Sequence, residues 1–218
     1  MLSYHQYTLN VATLRFGAAQ PALFAIPEER PVFLREYSTN HYSVSAYFAS
    51  RFTVEAIVTF AQTVVSILCN FFLIGFQSNL PNFILINYAV AMSSTALAVL
   101  LGCSIDDAKL AQEFLPLLFV PQMLFAGFFV AVALLPIWLR WVPYICSLAY
   151  GVKLGLLAEF EGCATSEGAE STFCKEVLSQ GDAEIGSKTE YWVILIAIFV
   201  VTRLLALYVL KLKASQFY

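Results

Sequence analysis

Charge is scarce in this sequence. Only 12% of its 218 residues are Asp, Glu, Lys or Arg, and 60% are hydrophobic; a soluble domain carries about 25% charged and about 45–50% apolar residues. That balance, with a mean hydropathy of +0.74, excludes a single water-soluble globule. The charge is missing in blocks: residues 56–105 and 114–139 contain none. A membrane-spanning helix needs roughly 20 apolar residues, so the first block has room for two and the second for one. A surface of one sign is also lacking. Twelve basic and 15 acidic residues give a net charge of −3 without a long run of either sign. Nothing here neutralises phosphates, so nucleic acid is excluded as a partner.

Reactive chemistry is equally thin. His5 and His41 are isolated, and no Cys or His cluster has zinc spacing, so no metal site is expected. None of the 10 glycines opens a phosphate loop of the G-x-x-x-x-G-K-[ST] type, and neither a G-x-S-x-G elbow nor an H-E-x-x-H pair occurs. No catalytic residue is expected in this chain. There is no Asn-x-Ser/Thr sequon, and no basic stretch leading into an apolar run and a small-residue cleavage site, as a secretory signal would need.

What is present is a series of apolar segments. Residues 8–26 form a weak candidate span, interrupted by Arg15 and closed by Pro21, and read as the remnant of a membrane helix occupying 1–26. A polar, aromatic-rich stretch follows at 27–55. Three strong spans occupy 56–135: 56–76, then 83–103 after a turn containing Asn79, Pro81 and Asn82, then 114–135. The last contains Pro116 and Pro121, where a kink is expected. The apolar run 145–158, broken only by Lys153, is too short to cross and fits a re-entrant or interfacial helix within a long loop at 136–190. A last span, 191–210, leads into a short tail ending at 218. The expected fold is an all-α integral membrane bundle of four clear spans, a re-entrant helix and a weak N-terminal span. Placing 27–55, 103–113 and the tail on one side collects Arg30, Arg35, Arg51, Lys109, Lys211 and Lys213 there, which makes that side cytoplasmic. Cys163 and Cys174 then fall in the outer loop, 11 positions apart, where a disulfide is permitted, while Cys69, Cys103 and Cys146 are expected as free thiols.

Within the spans, Gln62, Ser66 and Asn70 share one helix face, for interhelical hydrogen bonds or as a polar patch of a transport path. Ala91, Ser94, Ala98 and Gly102 form a small-residue ridge for close helix packing. Phe119, Met123 and Gly127 lie on one face with Val120 beside them, a pattern more common in cores than at ligand sites. Arg203, alone among the strong spans in carrying a charge, is expected to snorkel toward the cytoplasmic interface. The absence of other intramembrane ionisable groups argues against a proton-coupled carrier.

Four segments carry a resemblance: EERPVFLREYSTNHYSVSAYFASR at 28–51, FLPLLFVPQMLFAGFFV at 114–130, PIWLRWVPYICSLAYGVKLGLLAEFEG at 136–162 and LYVLKLKASQFY at 207–218. In this order they closely resemble the membrane domain of ABC transporters of subfamily G, the White and breast-cancer-resistance type of half-transporter. The resemblance implies an ABC-2 type exporter membrane domain, truncated, and an ATP-driven exporter of hydrophobic or amphipathic molecules such as lipids, sterols and xenobiotics. It implies that a nucleotide-binding domain holding ATP and Mg, and a first helix, are missing from this chain, which has no cofactor or ATPase activity of its own. It also implies a second half-transporter as homo- or heterodimeric partner, a hydrophobic small-molecule substrate, surrounding membrane lipid, and residence in the plasma membrane rather than an internal one. Carried over by position, Val32, Phe33, Arg35, Glu36 and Tyr37 belong to a short amphipathic cytoplasmic coupling helix over 32–42. Phe119, Val120 and Met123 face the substrate cavity, Phe128 and Phe129 form the plug above it in place of a leucine pair, and Cys163 pairs with Cys174. The family's proline early in the third helix is absent after Glu55, and the re-entrant motif ends Ala158-Glu159-Phe160. The alternative is a truncated, non-transporting membrane protein that only pairs with or modulates intact half-transporters.

Overall fold

The computed structural model describes residues 2–38, 43–74, 79–105, 107–125, 142–164, 169–180, 183 and 186–215, and among these every regular element is an α-helix. In chain order they are α1 (Leu2–Ser38), α2 (Val44–Ile74), α3 (Leu80–Ser104), α4 (Ala108–Phe125), α5 (Val142–Ile145), α6 (Ser147–Ala164), α7 (Ala169–Gln180) and α8 (Lys188–Ser215). Three are long and apolar enough to cross a membrane: Val44–Phe72, Leu80–Ser104 and Lys188–Lys213. The fourth expected span reaches 135, and its second half lies outside the described residues. Its first half, α4, continues as helix through both Pro116 and Pro121.

The bundle is organised around α3, which packs against α1, α2, α4, α6 and α8. Its small and hydroxyl residues make that possible. Ala91, Ser94, Ala98 and Gly102 are all buried, as the ridge predicted. At Gly102 a Cβ would stand 2.7 Å from the Leu23 carbonyl oxygen of α1, and at Gly151 of α6 it would stand 2.3 Å from a Val90 methyl of α3. Only a residue without a side chain allows either approach. The buried polar donors of α3 bond to its own backbone: Asn87 donates to Phe83 O (2.8 Å), Ser93 to Ala89 O (3.0 Å) and Ser94 to Val90 O (2.9 Å), while Asn87 Oδ1 is buried without a partner among the described residues. Bonding their donors this way lets these side chains sit in an apolar interior.

Two cores result. The one toward the α6–α7 end gathers Phe83, Ile86 and Val90 of α3 with Leu154, Leu156 and Leu157 of α6 and Leu195 of α8. The other gathers Leu23 and Ile26 of α1, Ala98 and Val99 of α3, Leu115 and Phe119 of α4, and Ala206 and Leu210 of α8. The apolar run at 145–158 is thus largely helix α6, buried between α3, α7 and α8.

Two boundaries differ from expectation. Residues 2–38 form one helix, so no break separates the expected remnant at 1–26 from the segment after it, and the expected short helix over 32–42 is, as far as Ser38, the end of α1. Packing along α3 supports α1 as far as Ile26 and Pro27, and the helix runs on through Pro31, although local signals at Pro21, Pro27 and Pro31 point to interruption. Likewise α2 begins at Val44, 12 residues before the expected span start at 56, because Ser43 caps it: the Ala46 amide donates to its side-chain oxygen (3.3 Å).

Cys163 on α6 and Cys174 on α7 are joined, with Cα atoms 6.1 Å apart, and Cys69, Cys103 and Cys146 are not disulfide-bonded. Cys174, Val177 and Leu178 are the buried face of α7 against α6. Mass spectrometry of unreduced peptides is expected to find the two cysteines linked. Replacing both by serine should lower stability by roughly 3 kcal/mol, from the freedom restored to the 11-residue loop in the unfolded chain. Two free thiols in the correctly inserted protein would refute the link.

Candidate functional site

Two buried arginines organise the interior. Arg15 of α1 is 1% exposed. Its Nε donates to Ser94 Oγ of α3 (2.5 Å), and one terminal nitrogen donates to Gln122 Oε1 of α4 (2.7 Å) and Ser147 Oγ of α6 (3.0 Å). The guanidinium carbon lies 5.2 Å from the centroid of the Phe119 ring, which also stacks on Phe16 at 5.2 Å. One side chain thereby ties four helices together through neutral partners and an aromatic face, and no carboxylate pairs with it among the described residues. A cation removed from water without a counter-ion is retained only when acceptors and a ring face supply its solvation.

Arg203 of α8 is the second, and the expectation that it snorkels is overturned. It is 8% exposed and forms an ion pair with Glu55 of α2, whose side chain is 14% exposed. A partner within the bundle replaces water as solvent for the charge. The same terminal nitrogen reaches Thr95 Oγ1 of α3 (3.3 Å), and the guanidinium lies between the rings of Phe52 (5.1 Å) and Phe199 (5.7 Å). Its Nε–H is buried without a partner among the described residues. An unsatisfied buried donor of this kind costs about 1–3 kcal/mol.

Arg203 and Glu55 line a cleft of about 160 Å³ between α1, α2, α3 and α8. Ala18, Ala22 and Ala25 supply its wall on α1, and Val54, Val58 and Gln62 stand exposed on α2. Toward the ends of α1 and α2, Arg51 pairs with Glu29 (2.9 Å) and donates to Ala25 O (3.2 Å), while Tyr47 donates to Glu29 (2.9 Å). The polar stripe of α2 contributes differently than its spacing suggested. Asn70 donates to Ser66 O of its own helix (2.7 Å), and Gln62 faces the cleft rather than a neighbouring helix.

The expected cavity residues separate onto different faces of α4. Phe119 is 1% exposed under Arg15, Met123 is half-buried against the α6 core, and Val120 is exposed. With Val120 stand Leu110, Phe114, Leu117 and Leu124, all exposed on one side, while Ala111, Leu115 and Phe119 are buried on the other. Val32 is exposed near the end of α1. Phe33, Arg35, Glu36 and Tyr37 lie in the same helix, their side chains outside what is described, as are Phe128 and Phe129 altogether. Glu55, Gln122 and Ser147 escaped the sequence reading. A single charge beside an apolar run, as at Arg15 and Glu55, was the available signal, since such a residue marks a site by default.

The ABC-2 type transporter family model matches residues 8–160. Protein white of Drosophila melanogaster is 26% identical over 218 residues, covering 95% of this chain and 32% of that protein. The mouse broad substrate specificity ATP-binding cassette transporter ABCG2 is 28% identical over 140 residues, 62% of this chain and 21% of its own length. ABC transporter G family member 22 of Arabidopsis thaliana is 28% identical over 148 residues, 66% and 19% respectively. The chain thus spans a third or less of the length of these relatives. Its helical bundle, its apolar spans and a family match over most of its length place the chain in the ABC-2 type transporter family, with a membrane domain of the subfamily G type.

Proposed function

We propose that this chain is the membrane-spanning part of an ATP-driven exporter for hydrophobic or amphipathic molecules, working as a dimer with nucleotide-binding domains that hold ATP and Mg. The observation that carries this reading is the two-sided α4. One face is packed into the bundle, and the other presents Phe114, Leu117, Val120 and Leu124 outward, an apolar wall able to meet a second half-transporter around a shared path. Flat or elongated apolar substrates would be held there mainly by area burial. In this reading Val120 lines the cavity directly and Met123 borders it. Phe119 shapes it from behind through Arg15, and Phe128 with Phe129 forms the gate at the far end.

The continuity of α1 supplies the drive. A nucleotide-binding domain pressing on 32–38 moves a single helix that carries Arg15, and Arg15 holds Gln122 of α4 and Ser147 of α6. The Glu29–Arg51 pair passes the same motion to α2. In the transporter assembled with its nucleotide-binding domains, Val120→Trp and Leu117→Trp are expected to shift which compounds stimulate ATP hydrolysis, with folded yield unchanged because both positions are exposed. Arg35→Glu with Tyr37→Ala should leave basal hydrolysis intact and remove its stimulation by substrate. Substrate profiles identical to wild type in the first pair would refute the cavity, and retained stimulation in the second would refute the coupling segment.

A further inference from the structure

We infer that α4 pairs with α4 of an identical copy, fastened at its cytoplasmic end by two reciprocal ion pairs, Lys109 of each chain against Glu113 of the other. This deepens the reading above, on which it rests, by naming the second half-transporter as another copy of this chain. The spacing along the outward face carries it. Leu110, Glu113, Leu117, Val120 and Leu124 all stand exposed and follow one another at intervals of three, four, three and four residues. That alternation is the seam by which two parallel helices pack knobs into holes, each position meeting its own counterpart across a two-fold axis. Lipid alone makes no such demand on a helix face. Pro116 and Pro121 fall beside the seam and not in it.

Charge selects the partner. Glu113 is the one ionisable residue in the seam, and residues 114–139 beyond it carry no charge. Lys109 stands one turn before it, also exposed. Neither belongs to an ion pair among the described residues, and lysine ahead of glutamate is the weaker order for pairing within one helix. The nearby Asp107 is engaged in capping, since its Oδ1 accepts the Lys109 amide (2.9 Å). Two opposite charges are therefore left unpaired on the face. Across a two-fold axis the two Glu113 carboxylates would repel each other if nothing answered them. The ammonium of each opposing Lys109 is offset from that level by four residues, about 6 Å of helix rise, a distance its side chain spans. A partner with an apolar residue at either position would leave one charge unanswered, so the face favours its own copy. Leu117, Val120 and Leu124 then face their counterparts across the shared path, and the charged end is its cytoplasmic mouth.

The full chain, labelled at its C-terminus with a donor fluorophore in one preparation and an acceptor in another, is mixed in phosphatidylcholine liposomes, and energy transfer is followed as added lipid dilutes it. Lys109→Glu and Glu113→Lys are each expected to weaken self-association about tenfold, since the two-fold axis turns both attractive pairs into like-charge contacts. Mixing the two variants should restore transfer to the wild-type level, because one carries only acids at these positions and the other only bases. A loss caused by misfolding would not be repaired by mixing. The double reversal, Lys109→Glu with Glu113→Lys, should self-associate as the wild type does. Transfer that is indifferent to both reversals but weakened by Leu117→Trp overturns the ion pairs and leaves α4 as the dimer face. Transfer indifferent to Leu117→Trp as well overturns the face, and with it the reading above. A wild-type chain that stays monomeric at every lipid ratio overturns self-pairing and points to a different half-transporter.

Discussion

Arg203→Met is expected to lower the stability of the folded chain by about 3–5 kcal/mol, because it leaves Glu55 as a buried carboxylate without its counter-charge. Replacing both partners, Glu55→Leu with Arg203→Met, should recover most of that loss. Two apolar side chains of similar volume carry no desolvation penalty, and the flanking Phe52 and Phe199 rings pack against either. The order single variant, double variant, wild type in thermal unfolding of the purified protein checks this. Had Arg203 reached the interface as a surface charge, the single substitution would cost less than about 1 kcal/mol, and a result that small would refute the buried pair. A double variant no better than the single would show that Thr95 and the aromatic rings require the cation itself.

Arg15 responds differently, since its partners are neutral. Arg15→Ala removes a long buried side chain and orphans Gln122 Oε1, and a loss of about 3–5 kcal/mol is expected from cavity and unsatisfied acceptor together. Arg15→Met refills the volume, so only the polar loss should remain, about 1–3 kcal/mol. Ser94 needs no rescue because its hydroxyl already donates to Val90 O. Adding Gln122→Leu to Arg15→Met should restore stability toward wild type while leaving α1 and α4 unlinked. Within the assembled transporter that double variant separates two roles of Arg15. A stable protein whose ATP hydrolysis no longer answers to substrate supports transmission from α1 to α4, and normal stimulation refutes it. Unfolding midpoints and substrate-stimulated hydrolysis measured on one preparation decide the matter.

The candidate site was partly legible from sequence, and the divide runs between residues acting locally and residues acting across the bundle. The ridge at Ala91, Ser94, Ala98 and Gly102 was readable because spacings of three and four residues put it on one face whatever surrounds it. That Cys163 and Cys174 could pair was readable from their place together in one outer loop, and the pairing itself came from the family resemblance. Arg15 was read only as a blemish in a weak span. Its partners Ser94, Gln122 and Ser147 lie 79, 107 and 132 positions away, and no local pattern announces them. Phe119 and Val120 were grouped as neighbours in one cavity, yet consecutive residues on a helix point about 100° apart, and packing sent one inward and left the other exposed.

Composition and the charge-free runs by themselves determined that this is a helical membrane protein, and the ordered motifs determined its family. Both are properties of consecutive residues, since placing backbone polar groups in lipid, away from water, forces each apolar run into helix before any neighbour is chosen. Tertiary structure alone decided that α1 continues unbroken through three prolines, that Arg203 meets Glu55 148 positions away, and that α4 keeps one apolar face for the interior and one for outside. Each of those outcomes depends on which helices lie side by side. A buried charge and an apolar side chain both take their environment from the neighbour, and the chain order does not state who the neighbour is.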